Sequence, residues 1–385
     1  MRLLFFGTYD AAAHPRVAVL RDGLRARGHD VHECDEPLGL STAQRVGMLR
    51  NPAGLPLLGW RLARCWWALW RRSRPYRRGR SPGHAPDAVV VGYLGHFDVL
   101  LARRLFPHVP IVLDHLIGAS DTAADRGVQA GARQRLLRRL DDAALAAADV
   151  VVVDTEEHRA ALPEAPRRRA VVVDVGAPLE WYVAPDPART GAGSADRLRV
   201  VFFGLFTPLQ GAPVIGAALG ELAADAADAA DGIEVTMVRS GQELAETRRL
   251  AAGTDRVTWR DWVPADELPA LVAGHDVCLG IFGSAAKATR VVPNKVFQGA
   301  AAGCALVTSD TAPQRRVLGD AAVLVPPGDS RALAAALRDL AADRDRLAAA
   351  RAAARALAEE RFTPDAVVRP LDARLRSLVP PEVHP

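Results

Sequence analysis

Val277-Cys-Leu-Gly-Ile281-Phe282-Gly283-Ser284-Ala-Ala-Lys287-Ala-Thr-Arg290-Val-Val-Pro293-Asn294-Lys295-Val-Phe-Gln298-Gly-Ala-Ala-Ala-Gly303-Cys-Ala305-Leu-Val-Thr-Ser309 reads as strand, loop, helix, strand. Val277 to Ile281 is an apolar run of strand length, a Gly/Ser loop follows, and a short helix starts close to Pro293. Ala305 to Ser309 then supplies the next strand, which makes the segment a parallel βαβ unit.

The same alternation extends outward in both directions. Upstream lie strands at Leu198–Phe203, Ile233–Val238 and Val257–Arg260, with a helix from about Ala212. Downstream, residues 330–361 form an Ala/Leu/Arg/Asp helical stretch. Residues 184–197 are a Pro/Gly/Ala/Ser run without periodicity, and the inter-domain linker is placed there. Before it the pattern is the same: a strand at Leu3–Phe6, a helix over 16–28 stopping at Gly28, and a more exposed strand at 29–34. Further strands are expected at 87–92, 110–114, 148–154 and 169–174, with a helix over 132–147. The expectation is an α/β chain of two tandem Rossmann-like, doubly wound domains facing a cleft. Residues 1–185 form the N-terminal domain, 186–197 the linker, 198–365 the C-terminal domain and 366–385 a tail. Ligands in such sheets bind beyond the carboxyl ends of the strands.

Composition narrows the class. At 385 residues, 49% apolar and 24% charged, the chain is expected to be globular and soluble, with no stretch long and apolar enough to span a membrane. The four cysteines are far apart with no CxxC spacing, which fits a reducing, cytoplasmic setting without a zinc site or disulfide framework. The apolar run at the N-terminus is only four residues and reads as a buried strand, not a secretory segment.

Charge is distributed unevenly. Between Glu36 and Asp87 there is no acidic residue but ten arginines, so this insert carries +10 and leaves the rest of the chain near −6. The chain's only two lysines are Lys287 and Lys295. With Arg290 they cluster around one loop and one helix start. Fixed cations and backbone amides there are suited to the negative charge that develops on a departing phosphate. Gln298, one turn further, is placed to reach ribose hydroxyls. Gly204-Leu205-Phe206-Thr207-Pro208-Leu209-Gln210-Gly211 is a second strand-to-helix junction. Its glycines allow close backbone approach to a phosphate, or form a plain turn. It matches neither a nicotinamide nor an ATP fingerprint.

Together with Val257-Thr-Trp-Arg-Asp-Trp262-Val263-Pro264 and Asp174-Val-Gly176-Ala-Pro-Leu-Glu-Trp181, these motifs resemble the retaining glycosyltransferases of family 4, which have the GT-B fold. The resemblance is strongest over 198–330. It implies a C-terminal domain that binds a nucleotide diphosphate sugar through Gly204, Trp262, Lys287, Arg290, Asn294, Lys295 and Gln298, with Gly7 closing over the diphosphate from the N-terminal domain. It implies retention without a covalent nucleophile, no metal and no cofactor beyond the donor. His115 falls where the family places a histidine against the transferred sugar, so His115, Lys287 and Arg290 are the candidate catalytic residues; a lone histidine is also often structural. Arg16, Asp114 and Asp121 are candidate acceptor contacts, Arg16 reading equally as a surface arginine.

Four positions depart from the family pattern. Its glutamate pair is replaced by Arg290 and Gln298, and its loop Arg and Lys by Leu205 and Gln210. The phosphate-binding charge is therefore expected to have moved to Lys287, Arg290 and Lys295. Alternatives are a nucleotide-sugar epimerase and a non-catalytic binding protein with a degenerate site.

On a helical wheel, residues 60–72 separate Arg61, Arg64, Arg71 and Arg72 from Trp60, Leu62, Trp66, Trp67, Leu69 and Trp70. The segment fits either an interfacial helix, giving peripheral membrane contact through 55–80 at the inner face, or a helix whose tryptophans pack on their own domain. The acceptor is expected to be a glycan, a lipid-linked sugar or a small molecule, not nucleic acid. The Ala/Arg-rich composition suggests a GC-rich bacterial source, with a role in glycan or natural-product biosynthesis.

Overall fold

The computed structural model describes residues 1–11, 14–40, 54–77, 85–93, 95–116, 118, 131–183, 197–224 and 232–378. Residues 186–196 of the expected linker and Asp121 lie outside them. The chain divides into two units, Met1–Asp174 with Pro364–Pro385, and Val175–Thr363.

In the first unit, β1 (Arg2–Gly7), β2 (Asp30–Asp35), β3 (Ala88–Val91), β4 (Ile111–Asp114), β5 (Val150–Val153) and β6 (Ala170–Val172) form one parallel sheet in the order β2-β1-β3-β4-β5-β6. Leu3 to Phe6 are fully buried because helices cover both faces of the sheet. Leu3 and Phe5 pack with α1 (Pro15–Ala26) on one face. Leu4 and Phe6 pack with α3 (Asp98–Leu105) and α4 (Ala132–Ala147) on the other; α2 (Leu55–Arg72) contributes Leu69 there. Each such side chain contributes on the order of 1.5–3 kcal/mol of burial.

The segment read as a tail does not stand apart. Val367, Val368, Leu371 and Leu375 enter the α1 side of the first core. Gly23 permits this, since a Cβ there would lie 2.1 Å from the Pro364 carbonyl oxygen. Asp372, on α7 (Arg369–Leu378), accepts from Arg27 at 2.6 Å and bonds His29 at 2.7 Å. Burial pushes its carboxyl up, but Arg27, His29 and Arg376 outweigh that and hold it at about 2.

In the second unit, β7 (Leu198–Phe203), β8 (Ile233–Val238), β9 (Val257–Arg260), β10 (Val277–Leu279), β11 (Ala305–Ser309) and β12 (Ala322–Val325) form a parallel sheet ordered β9-β8-β7-β10-β11-β12. Its main core joins Leu198, Val200 and Phe202 to α5 (Ala212–Ala224) and to Leu333 and Leu337. The sixth strand, β12, is absent from the sequence reading: Ala322-Val-Leu-Val325 is apolar but only four residues long, and its side chains are mostly half-buried. The expected helix over 330–361 is two helices. Asp343 ends the first and caps the second by accepting from the Arg346 N–H at 2.8 Å. Both sheets belong to the α/β class that the alternation predicts.

Candidate functional site

In the second sheet the strand order reverses between β7 and β10, and ligands of such sheets bind beyond the strand ends at this point. The loops leaving β7 and β10 are held together there. The Phe282 N–H donates to the Gln210 carbonyl at 3.0 Å. Gly211, with φ +65°, has no room for a side chain, since a Cβ would lie 2.4 Å from the Gly283 nitrogen.

Lys295 rises into this junction from the first turn of α6 (Asn294–Ala301). It is only 5% exposed. Its Nζ donates to Gln210 Oε1 at 2.5 Å and sits 3.6 Å above the centre of the Phe202 ring. A Cβ on Gly204 (φ +138°) would lie 3.0 Å from that Nζ, so only glycine leaves the ammonium group its space. Burial pushes the lysine down to about 7. It is a buried amino group at the mouth of the sheet. Gln210, which the sequence presents as a lost charge, is the acceptor that positions the lysine.

The other expected donor residues belong to the same unit. Gln298 is buried on the helix turn after Lys295; Asn294 is exposed at the start of α6. Lys287 is half-buried and Arg290 exposed at the 3-10 turn Ala288–Arg290. Trp262, beyond β9, is 63% exposed and carries the Arg239 guanidinium 4.7 Å from its ring centre. Arg239 follows β8 with φ +88° and is the one non-glycine residue with positive φ among the described residues. Strain of this kind costs of order 1–3 kcal/mol and gathers at functional positions. No sequence signal marks it.

In the first unit, Gly7 ends β1 with φ +146°. The Asp98 carboxylate closes the turn after it, accepting from Thr8 N–H at 2.7 Å, Thr8 Oγ1 at 2.8 Å and Trp66 Nε1 at 3.0 Å. Arg16 and Asp114, expected to face an acceptor, bond each other: Arg16 Nε donates to the carboxylate at 2.9 and 3.2 Å. Its remaining nitrogens donate to the carbonyls of Asp174 (3.0 Å) and Val173 (3.1 Å). Both side chains are buried, so the pair ties α1 to the ends of β4 and the segment after β6. His115 is 8% exposed, with its ring 5.2 Å from that of His96.

Helix α2 packs on its own unit along one face and exposes the other. Cys65 and Leu69 are buried in the first unit and Trp66 is half-buried. Trp60 and Trp67 are 62% and 57% exposed, with Arg64 over the first ring and Arg71 over the second at 5.6 and 4.7 Å. Among the described residues no helix is long and apolar enough to cross a membrane.

Residues 197–343 match the family described as glycosyl transferases group 1. The matched span contains the Lys295 junction and Trp262. Solved structures resemble the whole chain. Sucrose-phosphate synthase from Thermosynechococcus elongatus aligns with TM-score 0.68 at 17% identity, covering 98% of each chain. Anabaena HepE in complex with UDP-glucose aligns with TM-score 0.66 at 15% identity, over 98% of this chain and 100% of that one. The UDP-forming trehalose-phosphate synthase from Burkholderia vietnamiensis aligns with TM-score 0.64 at 15% identity over the same shares. At these identities the likeness is one of fold, the GT-B glycosyltransferase architecture. No curated protein sequence matches the chain.

Proposed function

We propose that the protein is a glycosyltransferase that moves a sugar from a nucleotide diphosphate donor to a hydroxyl acceptor, with retention and without a metal in the transfer step. The observation that carries this reading is Lys295, buried against Gly204 and Gln210 where the second sheet reverses its strand order. When the bond from the sugar's anomeric carbon to the phosphate oxygen breaks, negative charge grows on the diphosphate. A preorganised ammonium stabilises that charge without reorganising solvent. Lys287 and Arg290, on the loop leading to α6, add charge from outside. The acceptor oxygen bonds to the anomeric carbon on the face the diphosphate leaves, and its proton passes to the departing phosphate. The UDP-glucose complex of the structurally similar Anabaena protein supports a uridine nucleotide as the first donor to try.

Trp262 offers its ring to the base, with Arg239 backing it. Trp262→Ala is expected to raise KM for the donor roughly 5- to 150-fold, the range of one base–aromatic stack, with kcat little changed. Steady-state kinetics against donor concentration measures it, and an unchanged KM removes Trp262 from the site.

The decisive experiment is thermal stabilisation by UDP-, GDP-, ADP- and dTDP-sugars, with Lys295→Ala alongside. One nucleotide series should stabilise the wild type and not the variant. Product formed from donor alone would identify an epimerase, and stabilisation without turnover on any acceptor a binding protein. No response to any donor overturns the reading.

The exposed tryptophans of α2 favour an acceptor at a membrane surface. Trp60, Trp67 and the arginines beside them fit the headgroup layer of an anionic bilayer, while Cys65 and Leu69 hold the helix to its unit. The Trp60→Ala/Trp67→Ala double variant is expected to lose sedimentation with phosphatidylserine vesicles that the wild type shows. Equal sedimentation of both proteins, or none by the wild type, ends this assignment.

A further inference from the structure

The first unit holds a set of buried polar side chains that joins His115, a candidate catalytic residue, to two side chains the donor reading does not involve. His96 lies in the turn before α3, His115 directly follows β4, and Asp141 is on α4. All three are buried, at 4%, 8% and 8% exposure. One potential ligand atom from each lies within 4.8 Å of the other two. Nε2 of His96 and Nε2 of His115 are both buried without a hydrogen-bond partner. Leaving such an atom unsatisfied costs on the order of 1–3 kcal/mol, so two in one place need a reason.

We propose that His96, His115 and Asp141 bind a divalent transition-metal ion of the zinc type. His96 Nε2 and Asp141 Oδ1 are 3.4 Å apart. Ligand bonds of about 2.0–2.1 Å at a tetrahedral ion set their donor atoms roughly 3.4 Å apart, so this pair already has the spacing of two zinc ligands. His115 brings its ligand atom within 4.8 Å of both, so it must move inward to complete the set. Its backbone is fixed, the N–H donating to the Val152 carbonyl at 2.8 Å. The turn carrying His96 is fixed as well, because a Cβ on Gly95 would meet Val91 Cγ1 at 2.3 Å.

The donor set selects the ion. Two imidazoles with one carboxylate suit zinc and its first-row neighbours, whereas magnesium and calcium take oxygen ligands. Three protein ligands leave one position for water or an oxygen of a bound molecule. The site lies wholly within the first unit and shares His115 with the residues expected at the transferred sugar.

The test uses the untagged full chain, stripped with chelator and dialysed. Calorimetric titration with Zn2+ is expected to give one ion per chain and a higher melting temperature. Co2+ in its place should show the visible absorption of a four-coordinate site. Asp141→Asn and His96→Ala should each weaken Zn2+ binding at least ~100-fold, since even the outer partners of metal ligands carry 10- to 100-fold. If His96→Ala fails to fold, Asp141→Asn, which keeps the side chain's shape, and His115→Asn decide the matter. Absence of stoichiometric uptake overturns the proposal. So does uptake unchanged in the variants, or equal affinity for Mg2+. A chain that binds nucleotide sugar but no zinc refutes only this site.

Discussion

Lys295→Met is expected to abolish sugar transfer while making the protein more stable. Removing a preorganised charge from the position where a diphosphate departs costs on the order of 10²- to 10³-fold in kcat. The same change removes a buried ammonium that burial has pushed from 10.5 to about 7. Below pH 7 the folded chain carries the full penalty of that charge, of the order of a few kcal/mol. Between pH 7 and about 10.5 the unfolded chain binds a proton that the folded chain does not, so the lysine's contribution to stability rises with pH across that window. Methionine fills much of the same volume and has nothing to titrate. The variant should therefore melt several degrees higher at pH 7, and this slope should vanish from its stability profile. Donor binding is coupled in the opposite sense: above pH 7 the wild type must take up a proton to bind a diphosphate. Calorimetry in two buffers of different ionisation enthalpy would detect that proton. Turnover within about threefold of wild type, with no gain in melting temperature, would remove Lys295 from the centre of the site.

Arg16→Met should do the reverse and destabilise the first unit. The change leaves Asp114 fully buried without its cation, a defect that costs about 3–5 kcal/mol. The carbonyls of Val173 and Asp174 also lose their donors. Burial pushes the Asp114 carboxyl up, and Arg16 opposes it. Without the arginine, the acid is favoured in the fold over the carboxylate. The variant's stability should then fall as pH rises from the ordinary carboxylate range through the raised folded value. A drop of roughly 10 °C in melting temperature near neutral pH is expected, largely restored in Arg16→Met/Asp114→Leu, where no charge is left buried. A single variant that melts within two degrees of wild type would show that the pair is dispensable.

The fold was legible because buried parallel strands write themselves as continuous apolar runs. Leu198–Phe203, Ile233–Val238 and Ala305–Ser309 carry the boundaries expected of them. β12 was missed although Ala322-Val-Leu-Val325 is apolar throughout, because a four-residue apolar run is too short to separate from a loop or helix end by pattern alone. At the candidate site, the scarcity of lysine pointed to Lys295, since composition is visible without coordinates. Its partner Gln210 was hidden, because a glutamine 85 positions away gives no periodic or motif signal. The same holds for His96 and Asp141, which come from a turn and a helix and meet His115 only through the topology of the sheet. Arg239 was invisible for a different reason: positive φ on an arginine contradicts local preference and is imposed by the structure around it.

The first unit is built from both ends of the chain. Residues 1–174 emerge first during synthesis, but the helices that cover α1 at Gly23 belong to residues 364–378. The intervening 175–363 must be translated before they arrive, which at 5–20 residues per second takes roughly 10 to 40 s. Throughout that interval the apolar side of α1, with Leu20 and Leu24, waits without its final partners, while the second unit has its whole sequence in hand as soon as residue 363 clears the ribosome. The unit that starts first therefore finishes last, and nascent-chain quality control meets this protein first as a half-covered sheet.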